Sequence, residues 1–548
     1  MPTLREILRE LPEARLLGDQ DTTVTGIAYD SRLVKPGELF VALPGFHVDG
    51  SAFIPDALRR GAAAVVTQNP SVHIPEGVPL VQVPDARRTL TDLSASFYGY
   101  PARRLRVVGV TGTDGKTTTT HLVSAIIEAM GHKTGFITTA DVKVGGRISH
   151  NDTQHTTPEP VEVQGLMRQM VDEGIDYAVL ESSSHALALD RLLHCEFDAA
   201  VFTNLSPEHL NFHGSVESYL RAKAKLFALL DRAVDKGVEK VAVLNADDPH
   251  SPQLAAATRA RVMWYGIEGA TGRRGDGAMG RRGDAEMSSP LPLGEGQSEG
   301  WSVEHSALGI RDSFVTAADV RLLPGGSRFT LATPSGAVEV ESRLAGRFNV
   351  YNWLAAAAVG LSQGASLEQI RQAMALVDSV PGRMQRVDGG QPFTVIVDFA
   401  HTPQALRTVL GTLRPTTPGR LFVLFGLAGE RDPGNRGEMG RIAATVADFG
   451  LFTVDDPRFE DPLEIAERIA EGARAEGWRE GEHYLKIADR EEAIREAFHR
   501  ARRGDTVLLA GKGHERRQVI GAELVPWNDA EVARRLLAEL GYRADRPE

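Results

Sequence analysis

This sequence predicts an α/β protein of three domains, and three observations carry that prediction. Apolar runs of strand length alternate with helical stretches along most of the chain, the spacing of βα units in a parallel, doubly wound sheet. One such run leads into a glycine-rich loop, "GVTGTDGKTTTTHL" at 109–122, which opens a helix as phosphate-binding loops do. The later strand-like runs each end in a polar or glycine-rich loop, where open α/β sheets carry their ligands. A length of 548 residues leaves room for about three or four domains.

The elements follow in order. The opening "MPTLREILRELPEARLL" reads as an amphipathic helix; it carries acids and lacks the apolar core of a signal peptide. Residues 1–103 then hold "LFVALPG", "AAAVVTQ" and "VPLVQVP" as strands, with short helices such as "IPDALRRG", and form a small α/β domain. The second domain, 104–343, starts at the loop strand. It continues through "GFITTADV", "DYAVLESSS", "FDAAVFTNLS" and "KVAVLNADDP", with helices such as "VEVQGLMRQMVDEG" between them. Within it, 269–300 contains a near-direct repeat, "GRRGDGAM" and "GRRGDAEM", and few large apolar residues, so a disordered surface insertion without a catalytic role is expected there. The third domain, 344–548, begins with a turn and helix in "AGRFNVYNWLAAAAVGLSQG", and its strands are "FTVIVDF", "RLFVLFG", "GLFTVDD" and "TVLLAGKG".

Composition excludes several classes. Apolar residues make up 42% of the chain, the share of a globular protein, and no run nears the roughly 18 apolar residues of a membrane span. The single cysteine, Cys195, excludes a disulfide framework or thiolate cluster within the chain; it reads as a small buried residue, and the compartment as the cytosol. A net charge of −12 argues against a nucleic-acid partner, yet leaves room for a basic pocket and a small anionic substrate.

In the loop, Gly112 and Gly115 let backbone N–H groups close on phosphate oxygens, Lys116 reaches the terminal phosphates, and Thr117 suits a magnesium ion. Asp114 is odd there, since its charge repels phosphate unless a metal or Lys116 screens it. Glu181, at the end of a strand, fits either a nucleotide-bound metal or a solvated acid. Asn204, His209 and His213 follow the next strand; without thiols or a third clear ligand zinc is disfavoured, His209 suits a magnesium or polar-network role, and His213 a structural one. Lys223 and Lys225 lie on a helix beginning near Ser215, and by pattern alone both belong to a solvated face.

Taken together, the motifs resemble the Mur ligases, ATP-dependent amide-forming enzymes of peptidoglycan precursor synthesis. Within them the chain is most similar to the tripeptide-forming members, over nearly its whole length outside 269–300. The resemblance implies an N-terminal UDP-binding α/β domain, a central P-loop-type doubly wound ATPase domain and a C-terminal Rossmann-like domain that binds the amino acid. "YDSRLVKPGELFVALPGFHVDG" resembles the uridine-diphosphate pocket, with Ser31. "GTDGKTT" (Gly112, Thr113, Asp114, Gly115, Lys116, Thr117, Thr118) matches the ATP loop, although asparagine is usual at Asp114. Thr156 and Thr157 of "HTTPE", and Ser183 and Arg191 of "ESSSHALALDR", are implied to contact the UDP-sugar peptide. Glu181 is implied to bind a metal, His209 to help place a metal or substrate oxygen, and Asn204 to contact the nucleotide. Lys223 falls where the family carries a CO2-derived carbamate, which overturns its solvated reading; Lys225 keeps it.

In the third domain Asn349 and Asn352 match the family's stretch near the adenine, and Arg383 of "PGRMQRV" is implied to approach the phosphates from across the cleft. Asp398 and His401 belong to "VDFAHTP", where Phe399 and Gln404 replace the common Tyr and Asp. Arg431, the run Asp455-Asp456-Pro457-Arg458, and Gly511 with Glu515 resemble the pocket for the incoming amino acid. The meso-diaminopimelate form usually has asparagine where Asp456 stands. Asp456 is expected to repel a terminal carboxylate and attract a lone ammonium, which favours L-lysine or L-ornithine, while Arg458 suits meso-diaminopimelate. The implied reaction activates the D-glutamyl side-chain carboxylate of UDP-N-acetylmuramoyl-L-alanyl-D-glutamate as an acyl phosphate, with ATP and two Mg²⁺ ions, in a cytosolic monomer. The N-terminal domain and the "DDPR" run separate it from the folylpolyglutamate synthetases, and the amino-acid pocket separates it from a nucleotide switch.

Overall fold

The computed structural model describes residues 1–45, 49–151, 153, 155–268, 313–323, 325–431 and 433–543. The first unit is a five-stranded sheet. Arg15–Leu17 pairs antiparallel with Leu80–Gln82, and Ala64–Thr67, Leu39–Ala42 and Ile27–Ala28 follow in parallel. Leu4, Val41, Val66 and Leu90 share its core. The expected long opening helix is instead a single turn, Leu4–Ile7, held by a Thr3/Glu6 capping box. Pro12 disfavours helical backbone at Leu11, and the chain beyond it joins the sheet.

Eleven strands form the second sheet. Its centre is parallel and runs, in spatial order, Phe314–Leu323, Arg261–Ile267, Val241–Asn245, Ala199–Phe202, Arg106–Thr111, Tyr177–Glu181 and Thr134–Ile137. Antiparallel strands, not foreseen from the alternation of strands and helices, extend both edges. The sheet is packed on both faces: one core gathers Val108, Leu122, Val243 and Trp353, the other Val107, Met167, Leu180 and Phe227. Trp353, Leu354 and Ile370 place the helices Arg347–Ser362 and Leu367–Leu376 in the first of these cores. The expected boundary at 343/344 does not match this packing. Helix Arg347–Ser362 is apolar on nearly all sides because it is covered by the sheet and by helix Lys116–Ala129. We place the boundary after Leu376.

The third unit is a six-stranded sheet in the order Gln385–Val387, Thr394–Asp398, Thr506–Ala510, Leu421–Phe425, Phe449–Phe452, Tyr484–Lys486, with all pairs parallel after the first. Arg490 and Asp529, both fully buried, pair at 2.7 Å beneath it, and the same guanidinium donates to the carbonyls of Val454 and Ala510. The predicted insertion at 269–300 lies outside the described residues. Among the described residues no helix is long and apolar enough to cross a membrane.

Candidate active site

Strand Arg106–Thr111 delivers the loop to helix Lys116–Ala129, so the helix N-terminus points its free N–H groups into the turn. Two positions require glycine. Gly112 has φ +150°, and a Cβ there would lie 1.8 Å from Thr203 Oγ1; Gly115 has φ +82°, and a Cβ would lie 2.4 Å from Asn352 Oδ1. The Asp114 peptide is clamped. Its N–H donates to Asn204 Oδ1 at 2.9 Å, and its carbonyl accepts from Thr203 Oγ1 at 2.6 Å and Asn204 Nδ2 at 3.1 Å. The Asp114 residue itself is exposed. Lys116 is folded back, donating to the Thr113 carbonyl at 2.7 Å.

Behind the loop, Thr117 Oγ1 donates to Glu181 Oε2 at 2.9 Å, and Thr139 donates to both Glu181 oxygens through its N–H and hydroxyl. Glu181 is therefore a buried, oriented carboxylate and not a solvated one. Lys223 is only 1% exposed. Its Nζ donates to the Gly112 carbonyl at 2.6 Å and lies 4.1 Å from the centroid of the Tyr219 ring. Burial, and then the charge of Lys116, hold its pKa well below that of an ordinary lysine. Lys225, on the outer face of the same helix, pairs with Asp190 at 2.9 Å. His209 has a left-handed backbone (φ 55°) before the turn Leu210–His213, and its half-exposed ring meets His185 at 4.8 Å. His213 contacts Ser184 Oγ at 3.0 Å, and its ring lies 5.1 Å from that of Tyr219.

The third unit closes the opposite wall. Arg383 Nη2 donates to Thr117 Oγ1 at 3.3 Å, and its guanidinium lies 4.8 Å from the Phe399 ring centroid. Asp398 is buried and accepts from the Met384 and Ala400 N–H groups, which braces the segment carrying Arg383. Between the units lies a cleft of about 440 Å³ bordered by the loop, Glu181, Asn204, Arg383, Asp398 and His401. Asn349 does not border it: its amide donates to the Ala345 carbonyl and accepts from Asn352, and Asn352 faces the cleft instead. Phe348, Tyr351 and Asp247 also line it, with the Tyr351 hydroxyl donating to Asp247 Oδ2 at 2.8 Å. The "NADDP" run after a strand was the available signal for Asp247.

Beside Glu181, Thr157 Oγ1 donates to the Glu181 carbonyl at 2.6 Å and accepts from the Ser183 N–H at 3.0 Å. Arg191 pairs with Glu159 at 2.5 Å and donates to the Thr157 carbonyl, while its Nε is buried without a partner. Thr156 is half-buried next to it. Ser31 stays in the first unit, buried in the 3₁₀ turn Ser31–Leu33, and is not brought into the cleft.

The remaining candidates gather at the carboxyl ends of the third sheet. Asp455, Asp456 and Glu515 converge on one group that sequence reasoning missed, the ammonium of Lys512, at 3.3, 2.8 and 2.5 Å. Lys512 is fully buried although its sequence context is polar and glycine-rich. Burial acts to lower its pKa, but Asp455, Glu515 and Asp456 outweigh that and raise it. Asp456 also accepts from the Val519 N–H at 3.0 Å. Its charge is thus engaged by Lys512, which corrects the expectation of a free Asp456 carboxylate. Glu515 is pushed up to about 7, by burial first and then by Asp455, against the pull of Lys512. Gly511 lies against Asp455. Arg458 has φ 53°, and its Nε is buried without a partner. Arg431 is exposed, two residues beyond Gly429, whose N–H donates to the Asp456 carbonyl.

Comparison with known proteins agrees with this arrangement. The chain matches the Mur ligase family, catalytic domain over 23–98, the Mur ligase middle domain over 110–288 and 293–360, and the Mur ligase, glutamate ligase domain over 382–513. It is 46% identical to a UDP-N-acetylmuramyl-tripeptide synthetase of Roseiflexus sp. (strain RS-1), covering 98% of this chain and 99% of that one. It is 41% identical to a UDP-N-acetylmuramoyl-L-alanyl-D-glutamate--2,6-diaminopimelate ligase of Geobacillus kaustophilus, covering 98% and 100%. A solved structure of a ligase of the latter name superposes with a TM-score of 0.63 at 29% identity, covering 99% of both chains. A glycine-rich loop at a helix N-terminus beside a buried carboxylate, facing a second unit with its own charged pocket, is therefore the arrangement of a known family: the chain belongs to the Mur ligases, ATP-dependent enzymes that form amide bonds.

Proposed function

We propose that this ligase adds L-lysine or L-ornithine to the D-glutamyl side-chain carboxylate of UDP-N-acetylmuramoyl-L-alanyl-D-glutamate. The observation that carries the choice of amino acid is the set Asp455, Asp456 and Glu515 around the single buried Lys512. Three carboxylates converge on one ammonium, that of Lys512, and the terminal ammonium of a diamino acid can join it as a second cation among them. Glu515, held near 7, is the carboxylate such an ammonium ionises fully. Arg431, Arg458 and Gly511 shape the same pocket.

ATP lies in the cleft, with its phosphates on Gly112, Thr113, Gly115, Lys116, Thr117 and Thr118. Asp114, Asn204, Asn352, Arg383, Asp398 and His401 border it, and Asn349 positions Asn352. Ser31, Thr156, Thr157, Ser183 and Arg191 hold the UDP-sugar peptide; the unspent Arg191 Nε suits an anionic substrate. Lys223 Nζ, whose pKa burial and Lys116 lower, attacks CO2 as the free amine and loses a proton, which yields a carbamate with two oxygens. Thr117, Glu181, His209 and this carbamate would hold two Mg²⁺ ions, an oxygen-rich set that fits a hard cation, and the metal supplies charge neutralisation to the phosphates. The D-glutamyl carboxylate takes the γ-phosphoryl group while Lys116 and Arg383 offset its charge. The α-amine then attacks the acyl carbon and phosphate leaves. The same reading places the enzyme in the cytosol as a monomer.

A second reading, with meso-diaminopimelate, is favoured by the buried, unpartnered Arg458 Nε, a donor suited to a second carboxylate, and by the name of the Geobacillus relative. Competition at equal concentration among L-lysine, L-ornithine and meso-diaminopimelate decides. The charge argument predicts lysine or ornithine ahead, and a tenfold or greater advantage of meso-diaminopimelate in kcat/KM overturns it.

A further inference from the structure

His514 belongs to none of the groups assigned above, yet it stands where the two halves of the reaction meet. Its neighbours in sequence, Lys512 and Glu515, form the acidic pocket. On its other side its backbone packs so closely on Gly382 that a Cβ at Gly382 would lie 2.0 Å from the His514 N. Gly382 precedes Arg383, which reaches Thr117 of the phosphate loop. The imidazole rests on Phe399 at 4.7 Å, and across the gap it faces the ring of His150, from the second unit, at 6.4 Å. His514 is only 6% exposed, and both its Nδ1 and that of His150 are buried without hydrogen-bond partners. A buried imidazole nitrogen left unpaired costs stability, so its retention at this junction points to a group that arrives with the substrates.

We infer that His514 is the proton acceptor for the incoming amine, an assignment that rests on the ligase reading above. As the amine lone pair bonds to the acyl carbon, its nitrogen becomes cationic and acidic. The C–O bond to phosphate breaks with its electron pair leaving on phosphate, and the amine proton passes to the imidazole, which later releases it to water. Burial, followed by Arg383, His150, His401 and Lys512, lowers the pKa of this imidazole, so the ring is neutral before attack, takes a proton only from an acid as strong as the cationic adduct, and gives it up readily to water.

The test compares the parent with His514→Ala and His514→Asn in two assays. With L-lysine the variants should lose about 100-fold in kcat, the usual worth of a positioned base, with KM for the diamino acid changed less than threefold, and added imidazole should restore part of the His514→Ala rate. With hydroxylamine in place of the diamino acid, a weakly basic nucleophile whose adduct loses its proton to water unaided, parent and variants should form the hydroxamate of the dipeptide at similar rates. Equal kcat with L-lysine, no rescue by imidazole, or parallel loss of hydroxamate in the variants overturns the assignment. If the parent itself forms neither ADP nor hydroxamate, the ligase reading fails instead.

Discussion

At 1% exposure the Lys223 side chain has little water to hold a charge, and Lys116 adds repulsion; both lower its pKa and support the proposed reaction of its amine with CO2. Lys225, two residues on, shows the contrast: its ammonium reaches solvent and Asp190. Lys223→Ala is expected to lower ligation by at least about 1,000-fold, the scale of losing preorganised charge at a phosphoryl-transfer site, with partial recovery in high concentrations of a small carboxylic acid. Near-parent turnover by the variant contradicts the carbamate. Glu515 gives a pH signature. Because its pKa is raised to about 7, its attracting charge is lost below that pH and complete above it. The KM for L-lysine should therefore fall as pH rises through about 7, by an apparent constant that belongs to the whole acidic cluster, and Glu515→Gln should flatten the profile. Local patterns in the sequence pointed to Thr117 and Glu181, because a loop motif and a strand end place them. They could not show Lys512 or His514, since glycine-rich polar surroundings conceal which side chains fold inward.

Among the elements, the parallel strands were legible because they are apolar on both faces, and so were the helices between them. The antiparallel edges and the ownership of helix Arg347–Ser362 were not, because pattern shows that a helix is buried without showing which sheet buries it. Two predictions belong here. Residues 269–300 are polar and repetitive, so ligation by a chain that lacks them should stay within several-fold of the parent; a hundredfold loss in a folded protein rejects a non-catalytic insertion. Arg490 ties helix Arg490–Arg500 to the strand ends at Val454 and Ala510 through a fully buried pair with Asp529. Asp529→Ala leaves that guanidinium unpaired and should cost about 3–5 kcal/mol in denaturant unfolding of the third unit. A loss below about 1 kcal/mol would show that the carbonyls of Val454 and Ala510 suffice for the guanidinium.

For the whole molecule, the site exists only where units meet. The phosphate loop, Glu181 and Lys223 come from the second unit, Arg383 and the acidic pocket from the third, and the Tyr29 hydroxyl ties the first unit to Glu162 at 2.7 Å. Arg383→Ala should leave the fold intact and lower kcat by about 100- to 1,000-fold, with little change in the KM for the diamino acid, because the role proposed for this side chain is to offset charge on the phosphoryl group. The central claim is that ATP is used to activate a carboxylate, and isotope transfer tests it most directly. UDP-muramoyl dipeptide carrying heavy oxygen in the D-glutamyl side-chain carboxylate is incubated with ATP, Mg²⁺ and L-lysine, and the released phosphate is analysed. An acyl phosphate predicts one labelled oxygen in phosphate for each tripeptide formed. Phosphate released without label, or ATP hydrolysed equally fast without the dipeptide, would contradict the account.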